Sequence, residues 1–174
     1  MHQSMNPTAQ QSQSWIIKAF LDLLEIEEYN RISVSGICRR ADLDRRTFYR
    51  NFDSKQDVLE HYVHTLGEEY MKGYAAIGNL DSYGATKYFF EFWSKYLLFL
   101  RNMKKCGLDN YIFQQFEQYT KEHMELLIGT QAQSLPRNYV LAYRVGGFWN
   151  VMLNWIAEDE MLPPEELAFI ITQI

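Results

Sequence analysis

Basic and hydroxyl-bearing side chains are concentrated in one short stretch of the sequence, and their chemistry suits contact with a polyanion. From Arg31 to Lys55 there are seven basic residues and three acidic ones, which is a net charge of +4. The whole chain has a net charge of −5, so the rest of the sequence carries −9. A cationic segment in an otherwise acidic protein is typical of nucleic-acid binding.

Apolar spacing predicts two short helices and a tight turn in this stretch. In the first helix an apolar residue recurs at i, i+3, i+4 and i+7, at Val34, Ile37, Cys38 and Ala41. Asp44 can cap a second helix, because its side-chain oxygen can accept a hydrogen bond from a free backbone N–H. Phe48 and Phe52 lie one turn apart in that helix and are expected to point inward. The pattern therefore predicts a helix-turn-helix whose second helix exposes Arg45, Arg46, Tyr49, Arg50 and Asn51.

The order of residues in this motif resembles the DNA-binding domain of the TetR/AcrR family of bacterial transcription regulators. The most specific part is a Thr-Phe-Tyr run followed by a phenylalanine and a lysine at three-residue intervals. The matching positions are Ser33, Val34, Ile37, Ala41, Thr47, Phe48, Tyr49, Phe52 and Lys55. The match covers about the first third of the chain.

Three positions depart from the family pattern. Asp42 stands in the turn where the family usually has glycine, and aspartate tolerates the left-handed backbone conformation better than most residues. Asp44 replaces a common serine and keeps the capping oxygen. Gly36 lies inside the first helix, where it costs about 1 kcal/mol of helix propensity relative to alanine. None of the three breaks the motif.

The resemblance implies that the second helix lies in the major groove of DNA. By position, Arg45 and Asn51 are candidates for reading bases, and Lys55 is a candidate phosphate contact. Arg46 and Arg50 point most directly away from the predicted core, so the helical wheel leaves open which arginine reads a base. The candidate DNA contacts are Ser33, Ser35, Arg45, Arg46, Thr47, Tyr49, Arg50, Asn51 and Lys55. On the first helix, Arg39 and Arg40 are interpreted as a solvated face.

The rest of the sequence predicts helices and no strands. We expect a flexible polar tail over residues 1–12, a helix-turn-helix domain over 13–56 and a helical ligand-binding and dimerisation domain over 57–174. Apolar periodicity predicts helices over residues 14–28, 54–74, 85–105, 110–128 and 136–158, with a loop over 129–135 and a last helix that begins at Pro163-Pro164. The predicted fold class is all-α, with the N-terminal three-helix domain joined by a long helix to the C-terminal domain.

Aromatic residues dominate the predicted helix over 85–105, which has little polar face. Such a helix is buried on most sides. The resemblance implies a small-molecule cavity in the second domain, while plain core packing remains the alternative for these rings. The candidate ligand-binding residues are Tyr88, Trp93, Tyr96, Phe116 and Tyr119. Because few cations accompany these rings, an apolar or aromatic effector is favoured over an anionic one.

The last two predicted helices resemble those through which the family dimerises as a four-helix bundle. Gly146 and Gly147 lie in mid-helix, where they would let a second helix approach closely. Packing within one chain is the alternative. The candidate dimer-interface residues are Val145, Phe148, Met152, Trp155, Leu167, Ile170 and Ile171.

Other function classes find little support in the sequence. Glu60, His64 and Glu68 are spaced i, i+4 and i+8, which could hold a metal, but we interpret them as solvated side chains and predict no metal or other cofactor. No phosphate-cradling glycine loop, nucleophile elbow or zinc-protease pair is present, so we expect no enzymatic activity. No window approaches the roughly 18 apolar residues of a membrane span. The polar N-terminus lacks a signal peptide's apolar segment, so we expect a cytoplasmic protein without a membrane partner.

The sequence thus predicts a DNA-binding transcription regulator, in the form of a homodimeric repressor that binds a palindromic operator. A small, mainly apolar or aromatic effector is expected to release it. One alternative is a coactivator or adaptor of the same fold that acts through a protein partner. Another is a small-molecule-binding protein without a role at DNA. Cations on the second helix of the motif favour the first of these three.

Overall fold

The computed structural model describes residues 7–78, 80–122 and 136–173. Within these ranges there are nine α-helices, a 3₁₀ turn at Tyr29–Arg31 and no strand, so the predicted all-α class is confirmed. The helices are α1 (Pro7–Ile26), α2 (Val34–Ala41), α3 (Arg45–Asn51), α4 (Lys55–Ile77), α5 (Ser82–Ser94), α6 (Leu97–Lys105), α7 (Asp109–Glu122), α8 (Arg137–Trp155) and α9 (Pro164–Thr172).

The chain divides into two compact units, an N-terminal unit of Met1–His64 and a C-terminal unit of Thr65–Ile174. The division falls inside α4, so this single helix contributes residues to both units. In the N-terminal unit, α1, α2 and α3 pack on one another around a buried core. The largest fully buried side chains of this core are Ile16, Phe20, Ile37, Phe48, Val58 and Leu59.

Helix α1 begins earlier than the sequence predicted, since residues 7–12 are helical rather than part of a flexible tail. Pro7 opens the helix, where proline is favoured because its missing N–H would be unsatisfied there in any case. Glutamine is a good helix former, so the polar composition that suggested a tail is compatible with a helix. Ser12 is buried, which ties this segment to the unit. Residues 1–6 of the predicted tail lie outside the described residues.

The C-terminal unit is held together by aromatic packing around α5. Phe90 is fully buried and meets Trp155 of α8 edge to face, with ring centroids 5.3 Å apart. On α4, Tyr70 meets Phe92 at 5.2 Å in the same geometry. Helix α9 packs along α5. The expectation that this aromatic helix is buried on most sides is therefore confirmed for its first half.

The predicted helix over 85–105 is two helices, because the chain turns at Lys95 and Tyr96 between α5 and α6. At this turn the amide N–H groups of Lys95 and Tyr96 donate to carbonyls three residues earlier, which tightens the last turn of α5. The Ser94 hydroxyl also donates to the Glu91 carbonyl. No glycine or proline marks this break, so periodicity alone could not reveal it.

The predicted end of one further helix differs from the structure, and the predicted end of another lies outside the described residues. Helix α8 ends at Trp155, three residues before the predicted end, and the Trp155 Nε1 donates to the carbonyl of Leu162 across the connection to α9. Helix α7 is described as far as Glu122. Its predicted continuation to residue 128 and the predicted loop over 129–135 lie outside the described residues.

Gly73 provides a test of this packing. A helical glycine is ordinarily improved by alanine, by about 1 kcal/mol. At Gly73, however, a β-carbon would collide with the hydroxyl of Tyr88, which donates to the Tyr70 carbonyl at 3.0 Å. We therefore expect Gly73→Ala to lower the free energy of unfolding by about 1–3 kcal/mol in urea denaturation followed by circular dichroism.

The matched control is Gly36→Ala in α2, where a β-carbon would meet its nearest neighbour at 3.4 Å. This change should leave the free energy of unfolding unchanged or raise it by up to about 1 kcal/mol. A Gly73→Ala protein as stable as the unmodified chain would show that Tyr88 moves aside at no cost.

Candidate nucleic-acid interface

Three local features set where the helices of the helix-turn-helix begin and end. Ser33 caps α2, and its hydroxyl oxygen accepts a hydrogen bond from the Gly36 amide at 3.1 Å. Asp42 ends α2 in the left-handed conformation, with φ 54° and ψ 44°, as expected of an aspartate in place of the usual glycine. Asp44 caps α3 by accepting from the Thr47 amide at 2.6 Å. This hydrogen bond is the main cause of the lowered pKa of Asp44.

Helix α3 presents one apolar face and one cationic face. Phe48 is fully buried and Phe52, directly after the helix, is almost so, and their ring centroids lie 6.1 Å apart. Arg45, Arg46 and Arg50 are exposed. The two faces follow from the 3.6-residue period, which separates the apolar positions from the cationic ones. Helix α3 is hereafter called the recognition helix.

Arg45 and Tyr49 form a pair on the exposed side of the recognition helix. The guanidinium of Arg45 donates to the Tyr49 hydroxyl at 3.3 Å, and its central carbon lies 5.8 Å from the centre of the tyrosine ring. The Tyr49 ring meets Phe48 edge to face at 5.5 Å. Tyr49 thus links the exposed Arg45 to the buried core, which limits the directions in which Arg45 can project.

The structure places Asn51 and Thr47 differently from the other candidate contacts. Asn51 is half-buried, and its amide nitrogen donates back along the recognition helix to the Thr47 carbonyl at 2.7 Å. Thr47 is also half-buried, whereas Ser33 and Ser35 are exposed on the side of α2. The amide donors of Asn51 are therefore partly used by the helix itself, which weakens its case as a base reader.

Lys55 donates hydrogen bonds to backbone carbonyls of its own chain. The resemblance had implied that it contacts a DNA phosphate. Its ammonium donates to the carbonyls of Tyr29 at 2.6 Å and Ile32 at 2.9 Å, with a longer contact to Asn30. It also lies 4.3 Å from the centre of the Tyr29 ring. Burial lowers the pKa of Lys55. These partners lie 23 to 26 residues earlier, so the spacing of the motif could not reveal them.

Arg40 is ion-paired, which the solvated-face interpretation missed. Its guanidinium lies 3.0 Å from a carboxylate oxygen of Asp22 on α1, and Lys18 lies 3.1 Å from the other oxygen. The ion pair joins α2 to α1. It also neutralises part of the positive charge that the sequence assigned to this stretch. Arg39 is exposed, as expected for a residue of a solvated face.

The C-terminal unit contains a cavity of about 400 Å³ beside α5. Of the five predicted ligand-binding residues only Phe116 lines it. The Tyr88 hydroxyl is used by the Tyr70 carbonyl, and the Tyr96 hydroxyl donates to the carboxylate of Glu69 at 2.9 Å. The lining residues that the sequence missed include Tyr70, Tyr74, Thr86, Phe89, Leu141 and Arg144.

Two of the predicted ligand-binding residues, Trp93 and Tyr119, pack elsewhere. Trp93 is buried, and its Nε1 has no hydrogen-bond acceptor among the residues that the structure describes. Tyr119 lies so close to Gly67 that a β-carbon there would sit 3.2 Å from its ring. Helical spacing placed both residues on suitable faces, but it could not say which element covers each face.

Most of the predicted dimer-interface residues lie inside the protein. Four of them are buried within the chain and are corrected to core residues: Val145, Met152, Trp155 and Leu167. Phe148 is half-buried against Phe89 and Phe90, and Ile171 lines the cavity. Ile170 alone among the seven is exposed, at 50% of its surface. The apolar stripes of α8 and α9 were predicted to form a dimer interface. In the structure most of their residues pack in the core of the same chain.

Apart from Ile170, the exposed apolar side chains on α8 and α9 are not among the predicted interface residues. Tyr139 and Tyr143 are 72% and 77% exposed, and Phe169 is 59% exposed. At Gly146 and Gly147 an added β-carbon would meet no atom within 4 Å. We call this set of residues on α8 and α9, namely Tyr139, Tyr143, Gly146, Gly147, Phe169 and Ile170, the open face, and Tyr143 and Gly147 also line the cavity. Apart from Ile170, these residues lie outside the predicted apolar stripe, and the packing of the other helices is what leaves them exposed.

The described residues contain neither a candidate membrane span nor a candidate metal cluster. No helix within these ranges is long and apolar enough to cross a membrane. No group of three or more histidine, cysteine, aspartate or glutamate side chains in the described ranges is placed to hold a metal ion.

Two family models match the chain and together cover most of it. "Bacterial regulatory proteins, tetR family" matches residues 16–62, and "Transcriptional regulator C-terminal region" matches residues 80–174. The second match alone covers more than half of the chain. The protein therefore belongs to the TetR family of bacterial transcription regulators, which confirms the resemblance found in the helix-turn-helix. It is a DNA-binding transcription regulator of that family.

The similarity to a curated protein is local. Over 48 residues the chain is 42% identical to the HTH-type dhaKLM operon transcriptional activator DhaS of Lactococcus lactis subsp. lactis (strain IL1403). The match covers 28% of this chain and 26% of that protein. The chain thus spans about a quarter of the length of the curated relative it matches.

Solved structures share the fold over almost the whole chain. A dihydroxyacetone kinase operon activator DhaS superposes with a TM-score of 0.65 at 20% identity, covering 93% of this chain and 92% of that chain. A TetR transcriptional regulator from Streptococcus agalactiae 2603V gives 0.71 at 17% identity, covering 94% and 92%. A regulator from Aquifex aeolicus VF5 gives 0.69 at 18% identity, covering 93% and 98%. At these identities the likeness shows the fold alone.

The position of Lys55 predicts a loss of stability when its charge is removed. Lys55→Met would leave the carbonyls of Tyr29 and Ile32 without their donor. We expect the free energy of unfolding to fall by about 1–2 kcal/mol, measured by chemical denaturation. Lys72→Met, which changes an exposed lysine of α4, is the matched control and should stay within about 0.5 kcal/mol. Unchanged stability with lost DNA binding would restore the phosphate-contact assignment.

Proposed function

We propose that this protein is a homodimeric repressor that binds a palindromic operator in the cytoplasm and leaves it when a small effector occupies the C-terminal cavity. It acts by binding alone and performs no catalytic step. The observation that carries the proposal is the recognition helix, which exposes three arginines and is fixed by the Asp44 cap and the buried Phe48.

Base reading is assigned to the arginines of the recognition helix. A guanidinium can donate two parallel hydrogen bonds to O6 and N7 of guanine, which is the commonest specific contact in the major groove. Arg45 is the candidate with a defined orientation, because Tyr49 holds it. Arg46 and Arg50 are exposed and supply charge toward phosphates or bases. The same three exposed cations favour DNA binding over an adaptor that acts only through a protein partner.

The proposed dimer uses the open face. A palindromic operator requires two recognition helices about 34–36 Å apart on successive major grooves, which a two-fold dimer provides. Large apolar side chains that stay exposed on two helices, such as Tyr139, Tyr143 and Phe169, are candidates for an interaction site. The glycines at 146 and 147 have room above them, so a second helix could approach the α8 backbone closely.

Release of DNA is proposed to follow from occupation of the cavity. Helix α4 contributes Tyr70 and Tyr74 to the cavity wall and Val58 and Leu59 to the core of the N-terminal unit. A ligand that binds better to one position of this helix shifts the population toward that position. The continuous helix is then the element through which the cavity acts on the recognition helix.

Activation rather than repression is a second candidate mode. The curated relative is described as the transcriptional activator of the dhaKLM operon, and one structural neighbour as a kinase operon activator. Both modes require the same operator binding. A reporter gene placed behind the selected operator distinguishes them, because deletion of the regulator raises expression under repression and lowers it under activation.

The Arg45–Tyr49 pair predicts a change in sequence preference. Tyr49→Phe keeps the ring against Phe48 but removes the hydroxyl that accepts from Arg45. We expect affinity for an operator selected from random DNA to fall by up to about tenfold, with weaker discrimination at the base pair that Arg45 reads. Gel-shift titrations with operator variants at fixed salt measure both effects.

Two further variants help to interpret the result for Tyr49→Phe. Arg45→Ala should remove the same discrimination completely. Tyr83→Phe, at an exposed tyrosine of the C-terminal unit, is the matched control and should bind as the unmodified protein does. If Tyr49→Phe and Arg45→Ala both keep the full base preference, another arginine reads the DNA.

The open face predicts a monomer when it carries charge. Ile170→Glu places a carboxylate among the exposed apolar side chains of this face, where burial against a partner would be costly. We expect the dimer to dissociate in multi-angle light scattering at micromolar concentration. Ile77→Glu is the matched control, because Ile77 is 52% exposed and Ile170 50% exposed. A dimer that survives Ile170→Glu, or is lost equally in both variants, would rule out the open face as the interface.

A further inference from the structure

The cavity of the C-terminal unit has the size and lining of a small-molecule site. Its volume of about 400 Å³ lies within the range of ligand pockets, roughly 300–1,000 Å³. Apolar side chains make up most of its walls, and the rings of Phe89, Phe116 and Phe148 are among them. These rings favour a ligand with an aromatic body. The hydroxyl groups of the lining decide which polar group such a ligand carries.

The hydroxyl group of Tyr70, on α4, has no hydrogen-bond partner in the described part of the chain. The side chain is only 5% exposed and lines the cavity. A buried hydroxyl without a partner is costly, so such groups are ordinarily matched by a protein group, a water or a ligand. A hydroxyl buried to this extent can meet a partner only where the fold leaves space, and the cavity is such a space.

Packing against α5 holds the Tyr70 ring in place. Its centroid lies 5.2 Å from that of Phe92, 5.3 Å from that of Tyr88 and 6.1 Å from that of Phe89. The Tyr88 hydroxyl also donates to the backbone carbonyl of Tyr70 at 3.0 Å. The Tyr70 hydroxyl is thus held on a rigid support, which reduces the entropy lost when a ligand binds to it. Burial raises the pKa of Tyr70, so the hydroxyl keeps its proton at neutral pH and can donate it.

The threonines of the cavity present hydrogen-bond acceptors. Thr86 donates its hydroxyl proton to the Ser82 carbonyl at 2.7 Å, and it is 3% exposed. Thr120, also 3% exposed, donates to the Glu117 carbonyl at 2.9 Å. A third threonine of the lining, the half-buried Thr172, donates within its own helix in the same way. A hydroxyl has one proton and two lone pairs, so each of these oxygens can still accept a hydrogen bond. A ligand group that both accepts and donates therefore matches the lining better than one that only accepts.

The other polar groups of the lining are less enclosed or already engaged. Ser82 and Tyr143 are exposed, so water can reach their hydroxyls, and Tyr74 is half-buried. Arg144, the one cation among the described lining residues, already interacts with another group of the chain. Among these groups the Tyr70 hydroxyl is both deeply buried and without a partner, so it gains most from a ligand.

We propose that the effector is an uncharged aromatic compound that carries a hydroxyl group, and that this hydroxyl accepts a hydrogen bond from Tyr70. The same ligand hydroxyl has a proton to donate to a threonine oxygen, and its ring lies among Phe89, Phe116 and Phe148. The inference rests on the proposed function, because it names the chemical class of the effector at the same cavity. An ether of the same shape loses the donation, a hydrocarbon loses both hydrogen bonds, and a carboxylate must also give up its bound water.

The first test compares ligands that share a ring and differ in the polar group. Isothermal titration calorimetry at pH 7 is carried out on the full chain with 4-ethylphenol, 4-ethylanisole, ethylbenzene and 4-ethylbenzoate, and with 2-naphthol, 2-methoxynaphthalene, naphthalene and 2-naphthoate. Phenolic hydroxyls are uncharged at this pH. We expect at least one phenol to bind about fivefold or more tightly than its ether, its hydrocarbon and its carboxylate. Failure of both phenols to bind at millimolar concentration, or a partner compound that binds as tightly as its phenol, would overturn the inference.

Removal of the Tyr70 hydroxyl is the second test. Tyr70→Phe keeps the ring that packs against Tyr88, Phe89 and Phe92. It should weaken binding of the preferred phenol about five- to tenfold, while the hydrocarbon binds as before. Tyr83→Phe, at an exposed tyrosine that does not line the cavity, is the matched control and should bind both ligands as the unmodified chain does. Phenol affinity that is unchanged in Tyr70→Phe, or equally reduced in Tyr83→Phe, would refute the assignment.

The stability of the ligand-free variant distinguishes a ligand contact from a structural hydroxyl. Because no described group pairs with the Tyr70 hydroxyl, Tyr70→Phe should leave the thermal midpoint in circular dichroism unchanged or raise it. A midpoint lowered by several degrees would show that the hydroxyl is bonded within the folded chain, contrary to the inference. Tyr74→Phe removes the half-buried hydroxyl one turn later on α4 and should reduce phenol affinity less than Tyr70→Phe does. The reverse order would place the contact at Tyr74 instead.

Gel shifts with the selected operator, run on the same preparations, separate this inference from the proposed function. If the protein binds DNA but no phenol, or binds the phenol without releasing DNA, the effector class is wrong and the regulator stands. If the phenol binds through Tyr70 but the protein binds no operator DNA, the proposed function fails and the ligand site stands. If the phenol releases DNA from the unmodified protein, and a higher concentration is needed with Tyr70→Phe, both are supported.

Discussion

The ammonium of Lys55 makes the contacts on which the geometry of the N-terminal unit depends. It joins the first residue of α4 to the carbonyls of Tyr29 and Ile32, in the connection between α1 and α2. One ammonium has three donors, so a single side chain can satisfy several carbonyls at once. A partly buried charge is tolerated only while such partners surround it. Because the recognition helix lies between α2 and α4 in the chain, this tie and the Ser33 and Asp44 caps restrict where its arginines can project.

Large rigid rings impose a different constraint on the C-terminal unit. Phe89 has ring neighbours at 5.1 Å, 5.9 Å and 5.2 Å, which are Phe90, Phe116 and Phe148. Rings pack in tilted and edge-to-face pairs and cannot deform to fill every gap as a flexible methionine does. The cavity lies beside these rings. If the proposed effector binds here, it gains contacts with these rings and favours whichever conformation holds it better.

The sequence by itself determined the features whose causes are local. The apolar spacing of α2 and the recognition helix, the left-handed Asp42 and the cap at Asp44 all depend on residues within a few positions of one another. The inward direction of Phe48 and Phe52 was predicted for the same reason. Once the period of a helix and its apolar face are known, the direction of each other side chain on the helix is also known. The all-α class was predicted because apolar residues recur with helical spacing in the predicted elements. The charge of the motif was also evident, although Asp22 neutralises part of it.

Only the tertiary structure decided what distant elements do to each side chain. A helical stripe of apolar residues fits a core, a ligand pocket or a dimer interface equally well, and four of the predicted interface residues proved to be core. Helix α8 shows why: Trp149 is buried, Asn150 is exposed and Val151 lines the cavity, because consecutive helical residues point in different directions. The sequence supplies those directions, and the packing of other helices decides which of them meets solvent, ligand or core. Lys55 acquired its structural role in this way.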